Sequence, residues 1–516
     1  MKRSFLLGGL FLAQLGTFTA CGLDAAERKS EALGSLGQKL VSTNLVKNGS
    51  FETVGAAGPL TTWSASGGSQ AAAASWYLVS PFGAAALSSE HSSYAAPNGG
   101  SKTLLVKTDR QSSGVVQVMG PLGSGPQSSV ATVQVYVTRG QVGLGVGDGG
   151  NTGIGAVSTT TGRWETLVVP NHSTPANEII VYATSPGGAD FYIDNLGVYA
   201  APNLVNHSSF ETVGPSGPLT TWSATGSHAA AAAGWSMVSP FGPATLSTAH
   251  DSFAAPNGGS KTLKVTTDRA DSGLVQVISP VGTGPVGSLA TVQVYVVRGQ
   301  VGFGAGDGGN TGISARSTTT GRWETLVAPN YSTPANEIIL YATSPGGADF
   351  YVDNVGLYAS PNLACYGSFE TVGPAGPLTT WSASGSNEAA AAGWYLVSPF
   401  GAAALSSEHS SYLAPNGGNK TLHVVTDRQS SGVVQVMGPL GSGPQSSVAT
   451  VQVYVTRGQV GLGVGDGGNT GIGAVSTTTG RWETLVVPNH STPANEIIVY
   501  ATSPGGADFY LDNLGL

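Results

Sequence analysis

The sequence predicts an all-β protein built from three tandem β-sandwich domains of the jelly-roll type. Three observations predict it: short stretches in which apolar and polar residues alternate, Gly-rich turns between them, and one unit that occurs three times. Alternation with a period of two residues is typical of half-buried strands. Many short strands joined by Gly-rich turns favour a sandwich or jelly roll.

Five segments of the first unit carry this strand pattern. In one of them, Val133 and Val135 alternate with Gln134 and Tyr136, so we expect the valines to face the core and the other two to face solvent. The one helix-prone run, Gln70–Ser75, is too short to form a helix alone. The predicted strands are Val115–Val118, Ala131–Val137, Trp164–Val169, Glu178–Ala183 and Phe191–Val198.

The repeated unit recurs with an offset of 159 residues and without insertion or deletion. The opening Asn44-Leu45-Val46 reappears at Asn203 and Asn362, and all nine tryptophans keep the offset. A unit of this length is large enough to fold alone, unlike a solenoid repeat. Links as short as Tyr199–Pro202 predict a semi-rigid string of modules. The sequence divides into residues 1–20, residues 21–43, module 1 (44–202), module 2 (203–361) and module 3 (362–516).

Composition excludes several classes of protein. Lys and Arg total 21 of 516 residues and are scattered, and the net charge is −8, so the basic surface that nucleic-acid binding requires is absent. No apolar run reaches the length of a transmembrane helix. Two cysteines cannot form a disulfide framework.

The first segment is identified as an export signal. Residues 1–20 combine the positive Lys2 and Arg3 with a short apolar run, Phe5–Leu15. Cys21 follows small residues and resembles the processing site of bacterial lipoproteins, which implies that Cys21 is lipidated and that the lipid is the only membrane contact. Gly22, rather than Asp, follows the cysteine, so an outer-membrane or cell-surface location is expected. Ordinary cleavage and secretion is the alternative.

Four motifs in each module resemble those of carbohydrate-binding modules of the CenC type, in the galactose-binding-like jelly-roll superfamily. The motifs in module 1 are Asn44–Glu52, Ser113–Gln117, Gly162–Glu165 and Ala189–Asn195. The resemblance spans each module and implies a galactose-binding-like jelly roll with a polysaccharide or surface glycan as partner. The same superfamily also includes adhesive, protein-binding and spacer modules, so the fold leaves the ligand open.

The resemblance also implies one structural Ca²⁺ per module. In similar modules the first and last strands lie side by side, and a Glu and an Asp share the ion with backbone carbonyls, which suits the oxygen preference of Ca²⁺. The alternative is that the Glu caps a loop and the Asp bonds a turn. The pairs are Glu52 with Asp194, Glu211 with Asp353, and Glu370 with Asp512.

A sugar-binding face requires flat aromatic rings for the apolar side of the sugar, and amides or guanidinium groups for its hydroxyls. Trp164 has the pattern of a core residue. Ser236 replaces Tyr77 in module 2, so we expect weaker binding there if Tyr77 stacks on ligand. A solvated sheet face is the alternative for Gln134 and Tyr136. The candidates are Trp76, Tyr77, Gln117, Gln134, Tyr136 and Arg139; Trp235, Gln276, Gln293, Tyr295 and Arg298; and Trp394, Tyr395, Gln435, Gln452, Tyr454 and Arg457.

No nucleophile–base or metalloprotease signature occurs in the sequence. We therefore expect a non-catalytic cell-surface lipoprotein that binds polysaccharide through three modules. One alternative is a structural or adhesive protein whose modules bind protein or self-associate. The other is an accessory or degenerate enzyme that acts on glycosides.

Overall fold

A computed structural model describes most of the three modules. It contains strands and turns, and no helix in the described residues is long and apolar enough to cross a membrane. The described residues are 44–52, 76–79, 83–88, 102–149, 152–200, 202–211, 234–238, 244–247, 261–308, 311–360, 362–364, 367–370, 394–396, 401–406, 420–467 and 470–516.

Each module consists of two five-stranded antiparallel sheets. In module 1 the first sheet has the order β1-β4-β9-β6-β7 and the second sheet has the order β2-β3-β10-β5-β8. Every strand predicted from the sequence is present within β4, β5, β8, β9 and β10. The strands are β1 (Tyr77–Val79), β2 (Gly83–Ser88), β3 (Thr103–Thr108), β4 (Gly114–Val118), β5 (Ser129–Arg139), β6 (Val142–Gly147), β7 (Ala156–Val157), β8 (Trp164–Asn171), β9 (Glu178–Ala183) and β10 (Asp190–Ala200).

Modules 2 and 3 repeat this topology strand for strand. Module 2 has β11 (Trp235–Val238), β12 (Ala244–Ser247), β13 (Thr262–Thr266), β14 (Gly273–Val277), β15 (Ser288–Arg298), β16 (Val301–Gly306), β17 (Ala315–Arg316), β18 (Trp323–Asn330), β19 (Glu337–Ala342) and β20 (Asp349–Ala359). Module 3 has β21 (Trp394–Leu396), β22 (Gly401–Ser406), β23 (Thr421–Thr426), β24 (Gly432–Val436), β25 (Ser447–Arg457), β26 (Val460–Gly465), β27 (Ala474–Val475), β28 (Trp482–Asn489), β29 (Glu496–Ala501) and β30 (Asp508–Gly515).

The core of each module lies between its two sheets. Val133 and Val135 are fully buried there, as the alternation of β5 predicts. Trp76 and Phe51 pack against each other in the same core, with ring centroids 5.9 Å apart. Two sheets with a shared apolar interior form a β-sandwich, so the predicted fold class is confirmed.

The opening segment of each module lies beside the last strand. The amide of Leu45 donates to the carbonyl of Val198 (2.9 Å), and the amide of Leu196 donates to the carbonyl of Gly49 (3.0 Å). The side chain of Asn44 adds a bond to the Leu196 carbonyl (3.1 Å). The first and last motifs of the module are therefore neighbours in space, as the resemblance implies.

The three modules close into a ring. A buried glutamine of one module donates to a backbone carbonyl of another, and the bond recurs at all three boundaries: Gln134 to Gly473 (2.7 Å), Gln293 to Gly155 (2.7 Å) and Gln452 to Ser314 (2.9 Å). Module 1 thus contacts both of the others. The prediction of a semi-rigid string is wrong, because the outer face of each second sheet is an interface around its buried glutamine.

An asparagine in a left-handed conformation completes each boundary of the ring. Asn195, with φ of 47°, accepts bonds from the amide of His490 (3.1 Å) and the hydroxyl of Ser491 (3.1 Å). Asn is among the few residues that adopt this conformation without a large penalty. The equivalent bonds join Asn354 to His172 and Ser173, and Asn513 to Tyr331 and Ser332.

Apolar side chains from all three modules also pack together in the ring. They form one buried cluster outside the three module cores, and its members lie mainly on the outer faces of the second sheets. Burial of this surface provides the main driving force for ring closure. The cluster contains Val130, Val168, Leu289, Val327, Tyr358 and Val486, with Val448 packed against it.

We predict that the ring weakens in acid because of two histidines at the module boundaries. Burial lowers the pKa of His172 and of His490 to about 3, whereas an unfolded histidine has a pKa of about 6.5. Below pH 6.5 the unfolded chain therefore binds protons that the folded chain does not bind, and stability falls as the pH falls toward 3. Module 2 has Tyr331 at this position. The melting temperature of an H172Y/H490Y chain should decline less between pH 6.5 and 4.5 than that of the parent chain; equal declines would contradict this role.

Candidate functional site

The outer face of the first sheet, called here the first-sheet face, carries a cluster of aromatic and polar side chains. In module 1, Tyr77 pairs with Val116 and Val116 pairs with Ile180. Directly paired residues of antiparallel strands share one face of the sheet. Trp76 and Leu78 point into the core, so the alternating Tyr77 points outward.

Tyr182 occupies the middle of the first-sheet face. It pairs with Gly114 on one side and with Gly143 on the other. A Cβ atom at Gly114 would lie 3.1 Å from Cδ1 of Tyr182, so the missing side chain leaves room for the ring. Tyr182 is half-buried. It therefore presents a fixed aromatic surface of the kind on which the apolar side of a sugar stacks.

Glu178 lies four residues before Tyr182 on the same strand and on the same face. Burial raises the pKa of Glu178, and the nearby charge of Asp148 raises it further. In module 3, burial raises the pKa of the equivalent Glu496 to about 7. A half-buried carboxyl group and an aromatic ring on the same face provide the polar and apolar contacts that a saccharide site needs.

A loop of residues 152–155, called here the site loop, borders the first-sheet face. A Cβ atom at Gly143 would lie 2.4 Å from Cγ2 of Ile154, and one at Gly145 would lie 2.1 Å from the carbonyl oxygen of Gly153. Glycine at these two positions therefore lets the loop lie directly on strand β6. The site loop forms one wall beside Tyr182.

A neighbouring module holds each site loop in place. The amide of Gly155 donates to the carbonyl of Leu144 within module 1 (2.9 Å). The carbonyl of Gly155 accepts the bond from Gln293 of module 2 (2.7 Å). The site loop of module 2 depends in the same way on Gln452 of module 3, and that of module 3 depends on Gln134 of module 1.

Two of the sugar-binding candidates lie in the core, which corrects their assignment. Trp76 is fully buried and its Nε1 donates to the carbonyl of Lys47 (3.2 Å). Gln117 is also buried, accepts from the amide of Lys47 (2.7 Å) and donates to its carbonyl (2.9 Å). Both residues secure the opening segment of the module. Their buried equivalents are Trp235, Trp394, Gln276 and Gln435.

Two further candidates lie on the ring interface, and the expectation that they face solvent is wrong. Gln134 is fully buried: its Oε1 accepts from Asn195 (2.9 Å) while its Nε2 reaches Gly473. Tyr136 is also buried and meets Trp164 edge to face, with ring centroids 5.6 Å apart. The neighbouring module covers Gln134, and Trp164 and Tyr192 of the same module pack against Tyr136; the sequence pattern reveals neither contact. The equivalents are Gln293, Gln452, Tyr295 and Tyr454.

Arg139 is exposed and far from the first-sheet face in the sheet order. It forms an ion pair with Asp190 (2.9 Å) and donates to the carbonyls of Gly187 (2.8 Å) and Thr108 (2.7 Å). These bonds hold the turn before β10. Arg298 makes the corresponding ion pair, and Arg457 keeps the bonds to the backbone.

Tyr77 is the sugar-binding candidate that the structure places on the same face as Tyr182. Ser236 holds this position in module 2 and is buried, and Tyr395 holds it in β21 of module 3. The sequence argument missed Glu178 and Tyr182, with Glu337, Tyr341, Glu496 and Tyr500 in the other copies. Their spacing of four within a predicted strand places both on one side, but it does not indicate which side is covered.

The predicted metal pair provides one carboxylate without a full set of partners. Asp194 is fully buried; its Oδ1 accepts from the amide of Asn195 (2.7 Å), and its Oδ2 has no hydrogen-bond partner in the described part of the chain. Burial, aided by the charge of Glu52, raises the pKa of Asp194 well above its usual range. Glu52 accepts from the amide of Lys102 (2.7 Å), and its carbonyl accepts from the Lys102 ammonium group (3.1 Å).

These oxygens fit a cation site in their chemistry. The unpartnered Oδ2 recurs in Asp353 and Asp512, and Glu211 and Glu370 raise the pKa of these carboxyl groups in the same way. No group of three or more His, Cys, Asp or Glu side chains that could hold a metal occurs among the described residues. A bound ion would therefore take the remaining ligands from backbone carbonyls and water. Cys21 lies outside the described residues.

Comparison with solved structures finds carbohydrate-binding modules of the β-sandwich type. The tandem CBM22-1–CBM22-2 domain of Paenibacillus barcinonensis Xyn10C is 14% identical, covering 63% of this chain and 100% of that one, with a TM-score of 0.23. TmCBM61 in complex with β-1,4-galactotriose is 18% identical, covering 31% and 100%, with a TM-score of 0.22. Values this low carry no argument about what the present chain binds. No protein-family model and no curated protein matches the sequence.

We predict that the substitution Gln452→Leu loosens the site loop of module 2 alone. It removes the bond to Ser314 and leaves a buried carbonyl unpaired, at a cost of about 1–3 kcal/mol. Hydrogen exchange at the Ser314 amide should accelerate about tenfold, as measured by mass spectrometry. The peptide around Ser314 has a sequence of its own, whereas residues 150–156 and 468–474 are identical.

The chain contains the matched control for this experiment. Gln293→Leu should accelerate exchange in the peptide shared by modules 1 and 3, through Gly155, and leave the peptide around Ser314 unchanged. If both variants loosened all three loops equally, the effect would come from general destabilisation and not from the local bond.

Proposed function

We propose that this chain binds polysaccharide, without catalysis, through the three first-sheet faces. The position of Tyr182 and Glu178 on one outward face carries the proposal, since this face then offers a stacking surface and a hydrogen-bonding carboxyl group. The same pair recurs as Tyr341 with Glu337 and as Tyr500 with Glu496.

Ring closure favours binding of a polymer over binding of a short sugar. The buried contacts between modules hold the three faces in one fixed arrangement, so a polymer that reaches two of them gains effective concentration without flexible searching. Enhancements of about 10²–10⁴ in avidity are typical when the geometry permits simultaneous contact. The ring would thus select polymers whose path matches the spacing of the faces.

A non-catalytic role agrees with the state of the carboxyl groups near the face. Hydrolysis of a glycoside requires two carboxyl groups that act together. Asp148 is the acidic neighbour of Glu178, but its Oδ1 accepts bonds from the amide of Gly123 (2.8 Å) and from the side chain of Asn177. Asp148 therefore supports the loop rather than acting as a second catalytic carboxyl group for Glu178.

The location that we propose is the bacterial exterior. Residues 1–20 act as the export signal, and lipidation of Cys21 anchors the chain through residues 21–43 to the outer membrane or the cell surface. The sequence motif at Cys21 supports the lipoprotein reading, and secretion without an anchor is the alternative.

A second candidate function is adhesion to protein or to further copies. Its support is an exposed apolar side chain at the same loop position in each module, next to the first-sheet face. Leu122 is 75% exposed, Val281 is 71% exposed and Leu440 is 74% exposed. Exposed apolar residues at repeated positions can form a contact surface. Retention of the chain on protein, with none on polysaccharide, would favour this function.

We predict that replacement of the tyrosine in the middle of each first-sheet face by alanine abolishes most polysaccharide binding. The chain carrying Tyr182→Ala, Tyr341→Ala and Tyr500→Ala lacks the stacking surface. Its affinity for xylan or β-1,4-galactan, measured by retardation in affinity electrophoresis, should fall about tenfold at each site. The matched Tyr→Phe variants keep the rings and should bind nearly as the parent does. Unchanged retardation of the alanine variant would remove the first-sheet face from consideration.

We propose that a Ca²⁺ ion bridges Glu52 and Asp194, and the equivalent pairs, as a structural ion. The ion would neutralise two close carboxylates and give Asp194 Oδ2 a partner, and so hold the opening segment against β10. We predict that added Ca²⁺ raises the melting temperature of the parent chain and that EDTA lowers it, since a ligand bound only by the folded state stabilises it.

The control for the calcium experiment removes the buried carboxylates. A chain with D194N, D353N and D512N should melt at a temperature that neither Ca²⁺ nor EDTA changes. The substitutions D109N, D268N and D427N at exposed positions should leave the effect of Ca²⁺ and EDTA on the melting temperature unchanged, because these residues pair with adjacent arginines at the surface. A parent chain that is indifferent to both reagents would exclude the ion.

A further inference from the structure

A cavity lies at the centre of the ring, where equivalent parts of all three modules meet. The edge strands β8, β18 and β28 contact one another there, and the short strands β7, β17 and β27 lie beside them. The space enclosed, called here the axial cavity, has a volume of about 320 Å³. This volume falls within the range of small-molecule sites in proteins.

Unpaired arginines concentrate around the axial cavity. Arg163, Arg322 and Arg481 line it at equivalent positions, and Arg316 of module 2 adds a fourth guanidinium group. None of the four makes a hydrogen bond or an ion pair within the part of the chain that the structure describes. The whole chain has only 21 Lys and Arg, and four of them lie at this cavity together with three glutamates, so the lining has a formal net charge of +1.

The acidic residues of the axial cavity already have partners. Glu165 accepts bonds from the amides of Thr159 (2.9 Å) and Thr160 (3.2 Å), and from both hydroxyl groups (2.6 Å and 3.2 Å). Glu324 and Glu483 are bound in the same way by the threonines of their own modules. These carboxylates hold the turn before β8, which leaves the guanidinium groups available to a ligand.

Three tryptophans form the aromatic part of the wall. Trp164, Trp323 and Trp482 are half-buried in the cavity lining. A tyrosine holds each ring edge to face, at centroid distances of 5.6, 5.7 and 5.7 Å. Each indole Nε1 lacks a hydrogen-bond partner in the described part of the chain, and a buried donor without one is costly. The three indoles are therefore fixed in place, and their N–H groups are unsatisfied.

We propose that the axial cavity binds one acidic saccharide per chain. Guanidinium groups only donate hydrogen bonds, so the ligand must supply acceptors and negative charge. Indole rings favour the apolar C–H side of a sugar. A uronic acid combines both properties, with a carboxylate for the arginines and a pyranose ring for the tryptophans. This site goes beyond the proposed function, because its residues differ from those of the first-sheet faces and it occurs once in the ring.

Isothermal titration of the full chain with trigalacturonate tests the proposal. The expected result is one site per chain, with affinity that falls as salt is added. The variant R163Q/R322Q/R481Q should bind at least about tenfold more weakly, because charge-assisted hydrogen bonds are lost. The matched control R110Q/R269Q/R428Q removes three exposed arginines elsewhere and should bind as the parent does.

Further titrations distinguish binding at this site from binding at the first-sheet faces and from binding of any simple anion. The Tyr182→Ala, Tyr341→Ala and Tyr500→Ala chain should keep its affinity for trigalacturonate, and neutral β-1,4-galactotriose should not compete. Three sites per chain, or equal weakening by the control arginine variant, would overturn the proposal. Sodium sulfate that competes as well as trigalacturonate would show an adventitious oxyanion only, and no detectable binding would exclude the site.

Discussion

A buried pair of amides on the outer face of each second sheet organises the whole molecule. Gln134 and Asn195 bond to each other (2.9 Å), yet each retains polar atoms that its own module does not satisfy. Buried polar groups are nearly always paired, and an unpaired one costs about 1–3 kcal/mol. The neighbouring module supplies the missing partners, the carbonyl of Gly473 for Gln134 and the residues at the end of β28 for Asn195. Apolar packing drives the modules together, and these amides determine the register in which they meet.

The two candidate ligand sites both depend on that register. The glutamine that joins two modules reaches the backbone of a site loop, so each first-sheet face is bordered by a loop that another module steadies. The arrangement of the modules also brings the edge strands β8, β18 and β28 together at the centre of the ring. An unpaired edge strand is a risk for aggregation, and here the three edges cover one another while leaving a lined cavity. A carbohydrate-binding surface and a central cavity thus follow from one repeated contact.

The strands and the core were predictable from the sequence because the relevant signal is local. Val133 and Val135 alternate with polar residues, and this pattern alone places the valines inside. The pattern also places Gln134 and Tyr136 on the opposite face, but it cannot tell solvent from a neighbouring module. The prediction of a sugar-binding face assumes that its side chains are exposed to solvent, and most of the candidate residues are buried instead. Tyr182 needed a different signal, since the residues that leave space beside it, Gly114 and Gly143, are distant in the chain.

Near-identity of the modules takes on a physical meaning once they form a ring. Residues 108–192 and 426–510 are identical, and each module presents one surface to the module on one side and a different surface to the module on the other. Head-to-tail contacts of this kind build open polymers unless the rotation from one copy to the next closes into a ring. Here three copies in one chain close it, so each interface glutamine and the site-loop carbonyl that it bonds are paired within the chain. Each interface position therefore serves one contact that recurs three times. Tyr331 of module 2 replaces His172 of module 1 within this contact, and both backbone amides bond to an asparagine.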